Sequence, residues 1–153
     1  MSTDFHLAQL NIGRIRYPLD HPRMGGFVHR LAEINALAER TPGYVWRLQG
    51  ESGDATGFQP TDDPLVIVNL TVWETADQLY SFTYHTDHIE VFRARHNWFE
   101  SWPGPHLVLW WIPAGSMPTL PEALARLEQL ATDGPTPEAF SLKLRFPAPV
   151  AAG

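Results

Sequence analysis

Two side chains on one short run raise the chemical question. Asn69 and Trp73 lie four residues apart in Leu65–Glu74, the most strand-like stretch of the chain. In a strand that spacing brings both out on one face. An amide among aliphatic neighbours must find a hydrogen-bond partner or carry a desolvation cost of about 1–3 kcal/mol. One reading makes Asn69 a donor to a ligand oxygen in a cavity, with Trp73 stacking on the ligand. The other makes Asn69 a structural amide bonded to backbone and Trp73 part of the core. Gln9 and Asn11 repeat the pattern, sharing one face of the run from Phe5 to Ile12 with Phe5 and Leu7. Two amides on an apolar face suggest a cavity wall, although Asn11 would also suit an exposed strand end.

The histidines offer proton chemistry. Ile89, Phe92, His96 and Phe99 fall at helical spacing, which sets His96 and Phe92 on a stripe turned towards the sheet. There an imidazole titrating near neutrality can act as base or ligand. The segment His85-Thr-Asp-His88-Ile-Glu90 gathers metal-ligating types, but Asp87 and Glu90 have capping-box spacing. His85 and His88 straddle that cap instead of sharing a helical face, so no metal site is expected, and His85 is placed at the cavity mouth. Trp46, Tyr84 and Trp110 add aromatic surface suited to a flat apolar ligand. Trp110 and Trp111 are neighbours on one strand and so point to opposite faces; Trp110 is assigned to the cavity. Arg47 and Arg93 can pair with an anionic group or end in solvated salt bridges.

These residues need a scaffold. Strands are expected from Phe5 to Ile12, Tyr44 to Gln49, Leu65 to Glu74 and His106 to Ile112. Helices are expected after Asp20, with Phe27, Leu31, Ile34 and Ala38 on one stripe, from Thr75 to Tyr84, and from Asp87 to about Glu100. Thr119 and Glu122 mark the cap of another helix, and Phe140, Leu142, Leu144 and Phe146 alternate as a last, half-solvated edge strand. The order is β-α-β-β-α-β plus a C-terminal helix and strand: an α+β, ferredoxin-like antiparallel sheet. One domain over 1–146 with a flexible tail over 147–153 fits the 153-residue length.

Leu65–Trp73 and His106–Ile112 are apolar on both faces, so both faces need cover. With helices assigned to one face, a second copy of the sheet is the simplest cover for the other, which predicts a homodimer. The balance of 17 acidic against 11 basic residues disfavours nucleic acid and anionic membranes as partners. The absence of cysteine removes thiol catalysis and thiolate metal sites. No apolar run is long enough to span a bilayer, and Met1–Phe5 lacks the features of a signal peptide; a cytoplasmic location is expected.

With these elements in place, the chain resembles the dimeric α+β barrel superfamily, which includes antibiotic-biosynthesis-type and haem-degrading monooxygenases. It most resembles a bacterial family of unknown function within it. The resemblance is carried by His6–Arg14, Pro42–Leu48, Asn69–Glu74, Leu107–Gly115 and Gly134–Phe140. The Asn69/Trp73 spacing is similar to the pocket strand of cofactor-independent quinone-forming monooxygenases. That implies a phenolic substrate held by amide and indole for direct attack by oxygen, with no cofactor. Val91–His96 resembles the haem-degrading branch, and Asn11 matches its first-strand amide, but Phe82 stands where that branch carries a tryptophan. The resemblance therefore implies an enzyme acting on an aromatic or polyketide-like molecule, with Asn69, His96 and His85 as catalytic candidates. Trp73, Trp110, Asn11, Gln9, Trp46, Tyr84 and Phe92 are the substrate-binding candidates. A non-catalytic carrier of a hydrophobic ligand and a haem-binding monooxygenase are the alternatives.

Overall fold

The computed structural model describes residues 5–49, 60–84 and 97–149 of the chain. Its core is a four-stranded sheet of β1 (Phe5–Arg14), β2 (Tyr44–Arg47), β3 (Val66–Trp73) and β4 (Leu107–Pro113), in the order β2-β3-β1-β4. All neighbouring pairs are antiparallel. Helices α1 (Gly25–Arg40), α2 (Ala76–Tyr84) and α3 (Leu120–Asp133) complete the described regular elements, with a 3-10 turn at Pro22–Met24. This strand order, with α1 between β1 and β2, is that of a ferredoxin-like α+β fold.

Local chemistry explains the boundaries. His21, one residue after the Asp20 at which the sequence places the helix start, caps the 3-10 turn through Nδ1, which accepts from the Arg23 amide at 3.0 Å. Gly43 turns the chain from α1 into β2 at φ +93°, a conformation that favours glycine, and a Cβ there would collide with the Gln78 side chain. Thr119 caps α3 by accepting from the Glu122 amide at 3.3 Å. The Glu122 carboxylate accepts from Trp110 Nε1 at 3.1 Å, which draws it towards the sheet.

Two expected elements differ. The helix expected to run to about Glu100 does not reach it, because Phe99 forms a β-bridge with Ile15; residues 85–96 lie outside the described residues. The expected C-terminal strand shrinks to a single bridge between Phe140 and Leu109, with backbone bonds of 2.8 and 2.9 Å. Beyond it the Leu144 amide donates to Ser141 Oγ at 3.2 Å, bending the chain out of strand geometry and leaving Leu144 exposed.

Both faces of the sheet are covered within one chain, which removes the ground on which a second copy was invoked. On one face Ala8, Leu10, Val68, Leu70, Val72, Val108 and Trp110 pack with Ala123 and Leu130 of α3, joined by Trp46 and Trp102. Val66, Val68, Leu70 and Val72 are each no more than 5% exposed in the single chain. The sequence reading had not assigned α3 to this face. The other face lies under α1, α2 and the C-terminal segment, in two clusters. One joins Leu7, Trp73 and Leu109 to Ala38, Leu79, Phe82 and Phe140. The second joins Ile15 and Ile67 to Met24 and Phe27, with Phe99 against them. No helix among the described residues is long and apolar enough to cross a membrane.

Candidate functional site

Between those two clusters the helix-covered face of the sheet turns polar. Gln9 pairs with Thr71 across the β1/β3 ladder, and Asn11 pairs with Asn69 in the next inward-facing row. Directly opposed residues share a face, so the four polar side chains form one block. Leu7 and Trp73 bound it on one side, Gly13 and Ile67 on the other. Burial grades across it: Gln9 and Thr71 are buried, Asn69 is half-buried and Asn11 is exposed.

The hydrogen bonds orient the block. Gln9 Nε2 donates towards Asn69 Oδ1 and Thr71 Oγ1, each at 3.3 Å, and lies 3.4 Å from the Asn69 carbonyl oxygen. Trp73 Nε1 donates to Thr71 Oγ1 at 3.0 Å. With its oxygen turned to Gln9, the Asn69 amide presents its N–H groups elsewhere. With its oxygen accepting twice, the Thr71 hydroxyl has its own hydrogen left to donate. The block is therefore a cluster of neutral donors, suited to a carbonyl, a hydroxyl or a developing oxyanion.

The expected site residues divide into three groups. Asn69, Gln9 and Asn11 lie together on one face of the sheet, and Trp73 stands beside them. The Trp73 ring is 1% exposed, meeting Tyr44 edge-on at 5.9 Å and Phe82 at 5.1 Å. Its neighbours occupy it as core, and its indole N–H fixes Thr71. Trp110 and Trp46 are the second group, and both lie on the opposite face of the sheet from Asn69. For Trp110 the strand alternation holds but the face is reversed, and Trp111 joins the Asn69 side, its Nε1 donating to the Phe146 carbonyl at 2.9 Å. For Trp46 a β-bulge at Val45 is responsible. Tyr44 opposes Trp73 while Trp46 opposes Val72, so two residues that simple alternation would put on one face are split. The third group, His85, Phe92 and His96, lies outside the described residues, as does the side chain of Tyr84.

Two polar residues, Thr71 and Asn35, are not marked as site members by the sequence. Thr71 was visible on the Asn69 face but was not singled out. Asn35 is 7% exposed on α1, on the buried stripe between Phe27 and Ala38. Phe27 packs in one of the two flanking clusters and Ala38 in the other. The signal was an amide four residues after Leu31 on an apolar stripe. Arg47, for which the sequence leaves open pairing with an anionic group or a solvated salt bridge, opposes Thr71 and is 8% exposed; the bulge that turns Trp46 away turns Arg47 in. A concavity of about 280 Å³ lies on α1 beside Glu33, Ile34, Ala36, Leu37 and Arg40, and its lining includes none of the amide-block residues.

A family model described as Domain of unknown function (DUF3291) matches residues 6–152. No curated protein matches the chain. Among solved structures the chain is similar to PA3566 from Pseudomonas aeruginosa, at 10% identity, covering 76% of this chain and 99% of that one, with a TM-score of 0.49. It is similar to NE2512, a protein of unknown function from Nitrosomonas europaea, at 12% identity, 76% and 97% coverage and a TM-score of 0.47. It is also similar to a "Putative antibiotic biosynthesis monooxygenase" from Nitrosomonas europaea, at 14% identity, 76% and 94% coverage and a TM-score of 0.45.

Proposed function

The chain belongs to the DUF3291 family, and from the geometry of its polar block we propose that it is a small-molecule enzyme acting on an oxygen-bearing aromatic or polyketide-like substrate. The observation that carries this reading is the half-buried Asn69 amide, its oxygen held by Gln9 and its N–H groups directed away from that bond, beside a Thr71 hydroxyl with a hydrogen to donate. Prearranged donors in a largely dehydrated setting stabilise an oxygen that gains charge during reaction, because they need no reorganisation when the charge develops. Apolar clusters flank the block on either side and keep its surroundings poor in water.

The chemistry that fits is oxygenation without a cofactor. A methylene flanked by a phenolic ring loses a proton, and the resulting carbanion, delocalised onto the phenolic oxygen, passes electrons to molecular oxygen. A C–O bond forms, and loss of water leaves a carbonyl. Overall, CH2 plus O2 becomes C=O plus H2O, with the substrate as the reductant. Asn69 and Thr71 hold the oxyanion, Gln9 and Trp73 keep those donors oriented, and His96 or His85 is proposed to move the proton. A proton-transfer rearrangement through the same oxyanion would use the same groups without oxygen.

Turnover of phenolic and anthrone-type substrates by wild type, Asn69→Ala and His96→Ala, each with and without oxygen, tests the reading. Product should form with wild type, and Asn69→Ala should lower kcat/KM by about 10²–10³-fold. Binding of the same compounds with no product under either atmosphere would make the protein a carrier and end the catalytic reading.

A further inference from the structure

The proposed function needs a surface for the ligand's ring, and Trp73, the residue the sequence offers for that part, is closed off by its neighbours. We propose that Phe99 takes the part instead: its ring is the platform on which a flat, fused-ring ligand lies while the ligand's oxygen meets Asn69. The inference rests on the proposed site and adds the shape of what binds there.

The rows of the β1/β3 ladder decide between the two aromatics. Along this face they run Leu7/Trp73, Gln9/Thr71, Asn11/Asn69 and Gly13/Ile67. Successive rows on one face are about 6.5–7 Å apart, so Trp73 stands roughly 13 Å from Asn69 along the strand, and the Gly13 row is half as far. Phe99 occupies that nearer row. A Cβ on Gly13 would fall 2.7 Å from Phe99 Cδ1 and 2.8 Å from Cε1, so the ring lies directly on the sheet, in the space that glycine leaves open. Burial points the same way. Trp73 and the Gln9/Thr71 row are buried, whereas Asn69 and Phe99 are half-buried and Asn11 is exposed. The polar block therefore opens beside Phe99.

The ring is fixed before any ligand arrives. Phe99 bridges to Ile15. The Arg16 amide donates to the Trp98 carbonyl at 2.7 Å and the Glu100 amide to the Arg14 carbonyl at 2.9 Å, pinning residues 98–100 against the end of β1. Phe27 meets the Phe99 ring edge-on, with centroids 5.3 Å apart and planes at 85°. A surface held in this way loses little further freedom on binding. Contact between aromatic rings also contributes beyond the area it buries. A planar fused ring gains that contribution, and a puckered saturated ring on the same carbon skeleton does not. Phe99 thus determines specificity without touching the reacting oxygen.

Calorimetric titration of the full chain with 2-naphthol and 5,6,7,8-tetrahydro-2-naphthol tests this. The two share a phenolic ring and differ only in the second ring, flat in one and puckered in the other. Wild type should bind 2-naphthol about two- to tenfold more tightly. Phe99→Leu should bring the two affinities together, and Phe99→Tyr should keep the preference. Gly13→Ala leaves Phe99 in the chain but fills its place on the sheet, so it should also lower the ratio, and it is read independently should Phe99→Leu not fold. An unchanged ratio in Phe99→Leu or in Gly13→Ala would overturn the proposal. Equal affinities in wild type, with both weakened by Asn69→Ala, would overturn the role of Phe99 and leave the proposed site standing. No binding of either probe would overturn both.

Discussion

At the residue scale, side chains with two hydrogen-bonding ends do most of the positioning. Gln9 spends its donors on Asn69 and Thr71, and Trp73 spends its indole N–H on Thr71, which fixes the orientation of the amide and hydroxyl proposed to meet a ligand. A different residue pair ties two connections to β1. Arg14 donates to Asp63 at 2.6 Å and also pairs with Glu100, joining the chain before β3 and the chain before β4 to the end of β1. The hydrogen bond from Arg14, followed by one from the Leu65 amide, holds the Asp63 carboxyl below its ordinary value of 3.8. A carboxyl with a lower pKa in the folded state contributes stability above its unfolded pKa and loses it as pH falls through the folded one. Stability should therefore decline as pH drops below about 4, and Asp63→Asn should flatten that part of the profile while lowering stability at neutrality. Urea midpoints measured from pH 2 to 7 check this; parallel profiles for the two proteins would contradict it.

At the element scale, much of the scaffold was legible because its signals are local. The apolar runs of Leu65–Glu74 and His106–Ile112, the apolar stripe of α1 and the Thr119 cap each act over a few residues, and each appears close to its expected bounds. Strand period groups Gln9 with Asn11 on β1 and Asn69 with Trp73 on β3, whereas the pairing of the two strands depends on contacts distant in sequence. Other features depend on contacts distant in sequence. One extra residue at Val45 reverses Trp46 and Arg47, and no local pattern marks it as a bulge. The expected last strand fails because Ser141 offers its hydroxyl to the backbone. The destination of α3 depends on which sheet face remains open, which local periodicity does not encode. Its load can be measured: Leu130 is 6% exposed against the sheet, so Leu130→Ala should cost about 2–5 kcal/mol in denaturant unfolding. A loss below about 1 kcal/mol would mean that α3 is not a working cover for that face.

At the scale of the whole molecule, the sheet is a partition with different contents on each side. The α3 side is continuous and apolar, while the α1–α2 side is interrupted by a polar block between two apolar clusters. A continuous core maximises burial, whereas amides in the interior cost desolvation and contribute little net stability when merely satisfied. That asymmetry is what the proposed function rests on: the apolar side carries stability and the polar block is the proposed recognition site. The direct measurement is a titration of the uniformly ¹⁵N-labelled protein with 2-naphthol, followed through the side-chain amide resonances of asparagine and glutamine. Saturable shifts are expected, largest at Asn69 and graded through Asn11 and Gln9, with Gln78 and Gln129 unmoved. Shifts centred on the α1 concavity at Ile34, Leu37 and Arg40, or on the Trp110 face, with the Asn69 amide unchanged at saturation, would contradict it.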